Sequence, residues 1–297
     1  MSGVGACFPR SLGEAVGLLA DWPDAVPVAG GTDLMVEVNA GRFAPSLLVS
    51  LSGLPELAGF RREDDNLILG ANLTYAQLAS YPLAGLLPAL GQAARAVGAP
   101  QIRNVGTLGG AIATASPAGD VLTALTALDT SVACYGPAGW RQAPLAELLP
   151  DPAGHGGPAR LGAGELVVAL RVPSAPGAQE YLRVGHRGAM SRALACVALV
   201  VDLDRRAVRC ALGGLHPAPV RAGDAEALVC ALVDWRTGRV SESSVPDAFG
   251  RLVAQAGPQP ARSRAELAYQ RAAIAVCARR ALVRATAAPA ALEDEAS

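Results

Sequence analysis

"VAGGTDLMVEVNAG", residues 28–41, and "QIRNVGTLGGAIATASPAGD", residues 101–120, each set adjacent glycines beside threonine and aspartate. The first follows an apolar run, residues 24–29, that reads as a short buried strand. Glycine carries no Cβ, so backbone N–H groups can converge on an anion at close range. Gly30, Gly31 and Thr32 have the composition of such a nest, and Thr32 adds a hydroxyl donor. Thr107, Gly109 and Gly110 offer the same chemistry a second time. Two anion-compatible turns suit a pyrophosphate, and Asp120 is an acceptor for a sugar or ribityl hydroxyl. Neither stretch is G-x-G-x-x-G, so the dinucleotide fingerprint is not met, and a Gly-Gly pair alone is ordinary turn chemistry.

Outward from these stretches, strands and helices mix without strict alternation, which gives an α+β fold rather than a doubly wound sheet. Ser11 opens "SLGE", a capping-box pattern for a helix to about Ala20. Residues 47–51 read as a strand, and another runs from Asn66 to near Thr74, where Thr74 and Gln77 form a second capping box. Leu86, Leu90, Ala94 and Val97 recur at helical spacing and predict one helix over 83–97. Asp120 precedes a helical run with Val121, Leu125 and Leu128 on one face, and "SVACYG" reads as a strand. Residues 150–164 are a Gly/Pro-rich loop, "ELVVALRVP" is a strand ended by Pro173, and "SAPGAQ" is the candidate linker. Then "ACVALVVDLD" and "AVRCALGGL" read as a hairpin around Asp204, Arg205 and Arg206. Ser263 opens a third capping box, "SRAE", for a helix to about Ala285, and residues 287–297 are expected to form a disordered tail.

The net charge of −1 gives no electrostatic case for nucleic acid or an acidic membrane. All 25 cationic residues are arginine, which excludes a Schiff-base lysine and a P-loop. The six cysteines show no C-x-x-C spacing, which argues against zinc or an iron–sulfur cluster on this chain and for reduced core thiols. A basic flank with a long apolar run is missing at the start, and no apolar segment reaches membrane-spanning length, so a cytoplasmic protein is the expectation.

"AGGTDL", residues 29–34, and "NVGTLGGAIATASPAGD", residues 104–120, resemble the paired flavin-binding motifs of the molybdenum hydroxylase flavoproteins. That family comprises the FAD-binding medium subunits of xanthine dehydrogenase, carbon monoxide dehydrogenase and their relatives. The resemblance continues through "GELVVALRVP", "YLRVGHRGAMSRALACVAL", "ALGGLHPAPVRA" and "YQRAAIAVCARRAL", in order along nearly the whole chain. It implies a FAD domain of the vanillyl-alcohol-oxidase (PCMH) type over residues 1–174, with a small subdomain to about 54, a larger one over 55–174, and the flavin between them. A C-terminal α+β domain with a small antiparallel sheet would span 179–286. The backbone of Ala29, Gly30, Gly31, Thr32 and Asp33 would wrap the pyrophosphate, with Leu34 near the ring. Thr107, Gly110 and Ser116 would hold phosphate and ribityl groups, and Asp120 a ribityl or ribose hydroxyl. Val167 would pack on the isoalloxazine, with Arg183 nearby in place of a frequent lysine, keeping a positive charge with a different reach. Ala111 stands where the family usually has asparagine, so one side-chain contact is lost.

The resemblance implies that FAD carries the redox chemistry, with no catalytic side chain and no metal on this chain. Molybdopterin and [2Fe-2S] centres would reside on a large and a small partner subunit, in a heterotrimer or its dimer, with electrons passing through FAD to an acceptor such as NAD or a quinone. The rival readings are a stand-alone FAD-dependent oxidoreductase of the same fold and a degenerate, non-catalytic assembly subunit. His155, His186 and His216 are too dispersed for a metal site or a catalytic dyad, and Ser116-Pro117 lacks the G-x-S-x-G context of a nucleophile. Arg279, Arg280 and Arg284 read as a solvated helix face or a subunit contact rather than a nucleic-acid patch.

Overall fold

The computed structural model describes residues 4–117, 119–188, 190–258 and 263–287. The chain opens with β1 (Gly5–Cys7), α1 (Leu12–Asp21), β2 (Ala25–Val28), α2 (Leu34–Asn39) and β3 (Leu47–Ser50). The strands form a parallel sheet in the order β1-β3-β2. Sequence predicts a buried strand over 24–29; β2 is instead half-exposed, because it is an edge strand and its loop opens into a crevice. Ser11 caps α1, accepting from the Glu14 N–H at 3.2 Å, but the expected box is only half made, because Glu14 Oε2 accepts from the Arg10 N–H at 2.8 Å.

Next come β4 (Phe60–Glu63), β5 (Asn66–Gly70), α3 (Tyr75–Leu78), α4 (Leu83–Leu86), α5 (Pro88–Ala96), α6 (Pro100–Val105), α7 (Leu108–Thr114), α8 (Asp120–Ala127), β6 (Ser131–Gly136), β7 (Gly139–Pro144), α9 (Leu145–Leu148) and β8 (Leu166–Pro173). The strands form an antiparallel sheet in the order β4-β5-β8-β6-β7. The single helix expected over 83–97 is two, α4 and α5, broken at Leu87. Pro88 has no N–H and its ring would clash with the carbonyl four residues back, yet its fixed φ suits the first position of α5. The strand expected to run to Thr74 stops at Gly70, where an added Cβ would lie 2.3 Å from the Leu57 carbonyl oxygen.

The remainder is β9 (Gln179–Gly185), β10 (Ala193–Asp202), β11 (Ala207–Gly213), β12 (Val220–Arg221), α10 (Gly223–Leu232), β13 (Val233–Asp234), β14 (Arg239–Val240), α11 (Val245–Gln255) and α12 (Arg264–Thr286). Strands β9 to β12 form an antiparallel sheet in the order β12-β11-β10-β9. Successive side chains of a strand point to opposite faces. On β10, Cys196, Ala198 and Val200 join the core built by the first half of the chain, while Ala195, Val197, Leu199 and Val201 join the core with α10, α11 and α12. Both faces are covered, which is why this strand reads as an unbroken apolar run. The segment expected to be a linker is docked: the Ser174 N–H donates to Asp65 O at 2.7 Å, and Ala175 is buried.

The capping box at Ser263 is complete, with Ser263 Oγ 3.3 Å from the Glu266 N–H nitrogen and 2.7 Å from Glu266 Oε2. Ser263→Ala is expected to lower the unfolding free energy by about 1 kcal/mol in urea denaturation, whereas Ser263→Asp stays near wild type. Among the described residues no helix is long and apolar enough to cross a membrane. The tail expectation from residue 288 onward lies outside the described residues.

Candidate functional site

Strand β2 delivers Ala29 to Asp33 into a loop, with Gly31 in the left-handed region at φ +67. A Cβ on Gly30 would lie 1.9 Å from the Val105 carbonyl oxygen, so the end of α6 seats against this loop only because residue 30 is glycine. The N–H groups of Gly30, Gly31, Thr32 and Asp33 donate to no acceptor among the described residues. Asp33 precedes α2 without a side-chain cap bond, and Thr32 Oγ1 lies 3.4 Å from Asp33 Oδ2.

The second glycine stretch differs from its expectation as another nest: it folds as the first turn of α7. Its N–H groups are already occupied. Leu108 donates to Leu73 O at 3.0 Å, Gly109 to Ala71 O at 2.8 Å, and Gly110 to Thr107 Oγ1 at 3.2 Å. A Cβ on Gly109 would lie 2.9 Å from Ala71 Cβ, so this glycine serves close packing of α7 on the 71–73 segment. The stretch contributes a low wall, formed by Gly110, Ala111, Ala113 and Thr114.

Ala115 ends α7 in the left-handed region at φ +47 and is buried, a conformation that costs a non-glycine residue about 1–2 kcal/mol. That turn brings Ser116 to the crevice and lets α8 start at Asp120. Asp120 is 6% exposed. The Tyr181 hydroxyl donates to its Oδ1, and Arg183 Nη1 lies 3.5 Å from its Oδ2. Burial raises the Asp120 pKa, opposed by Tyr181 and Arg183. Arg183 is itself fixed by bonds to Ala96 O at 2.7 Å and to Ser191 O.

These residues border one elongated crevice with three compartments. In the centre, the 29–34 loop faces Thr107, Gly110 and Ala111. One end, the more polar of the two, sets Ser116, Asp120, Ser191 and Arg192 among the apolar Val97, Ile102 and Leu122. The other is apolar, lined by Leu57, Leu161, Leu166 and Val167, with Asn72 and Glu165 at its margin. The centre shares Thr32, Asp33, Tyr75, Ala111 and Thr114 with the polar end, and Pro27, Ala29, Thr107, Gly110 and Ala113 with the apolar end. The two ends share no lining residue.

Ala29, Gly30, Gly31, Thr32, Asp33, Leu34, Thr107, Gly110, Ser116, Asp120 and Val167 therefore line a common crevice, and Arg183 stands behind Asp120. Val167, however, lies at the end opposite Asp120 and Arg183, so one ring system does not contact all three. Sequence reasoning missed Tyr75, Asn72, Glu165 and Arg192, which also line it. The only signal was the Thr74 capping box, which fixes Tyr75 as the first residue of α3. Glu165 is held by both ends of the Arg141 guanidinium, at 2.8 and 2.7 Å, and that pairing lowers its pKa.

His155 and His186 are exposed on loops, and His216 is buried with Nε2 3.1 Å from Ala256 O. The six cysteines are free thiols. On the exposed side of α12, Arg279 pairs with Asp247 at 2.7 Å and Arg284 approaches Glu180 at 3.8 Å. Among the described residues no group of three or more His, Cys, Asp or Glu side chains is arranged to hold a metal ion.

The family model described as the FAD binding domain in molybdopterin dehydrogenase matches residues 2–175. The chain is 34% identical over 201 residues to the nicotinate dehydrogenase FAD-subunit of Eubacterium barkeri, covering 66% of this chain and 68% of that one. It is 31% identical to the putative xanthine dehydrogenase FAD-binding subunit of Escherichia coli K12, covering 73% and 75%. Among solved structures, carbon monoxide dehydrogenase from Hydrogenophaga pseudoflava superposes with a TM-score of 0.81 at 28% identity, covering 95% of this chain and 96% of that one.

Proposed function

Because the chain belongs to the family of FAD-binding domains in molybdopterin dehydrogenases, we propose that it is the FAD-carrying subunit of a molybdenum-containing hydroxylase or dehydrogenase complex. The observation that carries this reading is the run of unpartnered N–H groups from Gly30 to Asp33, set midway along a crevice with chemically different ends. A dinucleotide needs donors at its centre, where the diphosphate lies, and a ring pocket at each end. The residues present fit that demand.

Bound FAD supplies one- and two-electron redox chemistry that no side chain of this protein offers. The loop at Gly30 to Asp33 binds the diphosphate through backbone N–H groups and the Thr32 hydroxyl, and Leu34 adds apolar contact beyond it. Thr107 and Gly110 form the facing wall. The adenine belongs at the apolar end against Val167 and Leu161. The isoalloxazine belongs at the polar end, where the N-terminus of α8, Arg183 and Arg192 supply positive potential for added electron density. Val167 then packs on the adenine rather than on the flavin. Ser116 and Asp120 orient the ribityl chain, and Arg183 and Tyr181 hold Asp120 in place. We take residues 1–174 as the PCMH-type flavin domain, with subdomains meeting near residue 54, and 179–286 as the domain that closes the polar end.

In this reading the chain works beside an iron–sulfur small subunit and a molybdopterin large subunit, as a heterotrimer or its dimer, and delivers electrons to NAD or a quinone. The assembly is placed in the cytoplasm, where the six free thiols stay reduced. The test is purification of the full chain with its co-expressed neighbours, followed by flavin and metal analysis. One FAD on this chain, with iron and molybdenum on copurifying subunits, is the expected result. A preparation that stays colourless after titration with FAD would sink the reading, and a yellow monomer that turns over alone would favour the stand-alone oxidoreductase. Asp120→Ala is expected to weaken FAD binding about tenfold or more, since hydrogen bonds to a carboxylate are worth about 1.5–3 kcal/mol.

A further inference from the structure

Tyr75 is a preset donor on the crevice wall that none of the described residues uses. The residue is 8% exposed, and its hydroxyl, which makes no hydrogen bond to the described residues, is not among the buried side-chain atoms left unpaired, so it reaches the crevice. Its position does not depend on a ligand. The Thr74 N–H donates to Gln77 Oε1 at 2.9 Å, Thr74 bridges Thr107, and the Tyr75 N–H donates to Gly106 O at 3.1 Å. The ring packs close against Gly106, where a Cβ would come within 2.7 Å of Tyr75 Cε2. Ring and backbone are thus fixed, while the hydroxyl remains open to the crevice.

A tyrosine hydroxyl on a crevice wall, held by an apolar body and met by no protein acceptor, is free to donate to a ligand there. Tyr75 borders the central compartment and the polar end, but not the apolar end. It shares that constriction with Thr32, Asp33 and Ala111, and Ala111 offers only a methyl group. Burial and the nearby carboxylates of Asp33 and Asp120 raise its pKa, so the hydroxyl keeps its proton and acts as a donor. A neutral donor suits a site that already holds two carboxylates and receives a diphosphate.

Resting on the FAD reading, we propose that Tyr75 is a positioning residue for the cofactor: its hydroxyl donates to the phosphate on the flavin side of the diphosphate. The placement follows from the compartments it touches, since a residue absent from the apolar end meets the flavin half of the molecule. The hydroxyl fixes where the ribityl arm leaves the diphosphate loop and so where the isoalloxazine lies in the polar end.

The test compares Tyr75→Phe with wild type in the full chain, purified with whatever subunits accompany it and freed of flavin. Binding of FAD and FMN is read by flavin fluorescence, and binding of AMP by titration calorimetry. FAD and FMN are expected to weaken by about ten- to a hundredfold, the range for a hydrogen bond to a charged group, with AMP unchanged. Unchanged FAD and FMN affinity overturns the proposal. An equal loss for AMP also overturns it, because AMP lacks the flavin-side phosphate and that result assigns Tyr75 to support of the loop. A wild-type protein that binds no FAD would instead remove the underlying functional reading.

Discussion

Gly30→Ala is expected to strip the protein of flavin. The added methyl carbon would lie 1.9 Å from the Val105 carbonyl oxygen and 2.6 Å from its carbon, both backbone atoms that no rotamer change relieves. Either the loop lifts or α6 shifts away. In both cases the N–H groups of Gly30 to Asp33 no longer converge as they do now. Each such bond to a diphosphate oxygen is charge-assisted and worth about 1.5–3 kcal/mol, so misplacing two weakens FAD by about a hundredfold or more. Equilibrium dialysis against FAD reads this loss, and circular dichroism checks that the fold survives. Gly31→Ala should act more mildly, because its left-handed backbone at φ +67 costs alanine about 1–2 kcal/mol without a comparable clash. Retention of FAD by Gly30→Ala at wild-type affinity would show that the diphosphate is held elsewhere.

Asp202→Ala is expected to cause a large loss of stability, about 3–5 kcal/mol in urea unfolding of the flavin-free protein. Asp202 is fully buried and accepts from Arg209 Nη2 at 3.0 Å, while Arg209 Nε donates to Ala127 O at 3.2 Å. The Arg205 backbone N–H also donates to Asp202, at 3.1 Å. One carboxylate therefore ties the β10–β11 turn to the last residue of α8, the helix whose first residue is Asp120. Removing it strands the Arg209 guanidinium, 7% exposed, without a counter-charge. The double variant Asp202→Ala, Arg209→Met should recover most of the loss, since a matched apolar pair carries no buried charge. If the single and double variants unfold alike, the pair is not the source of the effect.

Much of the local structure was legible. The capping boxes at Thr74 and Ser263 depend on residues three apart and appear where their spacing put them. The β10–β11 hairpin follows from two apolar runs around a charged turn. The Pro88 break was also written in the chain, but apolar periodicity overran it because Leu86 and Leu90 keep helical spacing across the break. Helices α2, α6, α7, α9, α10 and α11 went unread. In α2 no residue is buried, so the usual contrast between an apolar and a polar face is lacking.

By itself, the sequence determined where the backbone is free of side chains, which residues cap helices and which runs are apolar, because those are properties of neighbouring residues. The tertiary structure decided which of two similar glycine stretches keeps its N–H groups open. Those of Leu108 and Gly109 found carbonyls at Leu73 and Ala71, more than thirty positions earlier, while the loop at Gly30 met none. It also sent Val167 and Asp120 to opposite ends of one crevice and turned an ordinary tyrosine into a wall of it. Hydrogen-bond acceptors are assigned by chain packing, and no local spacing encodes that assignment.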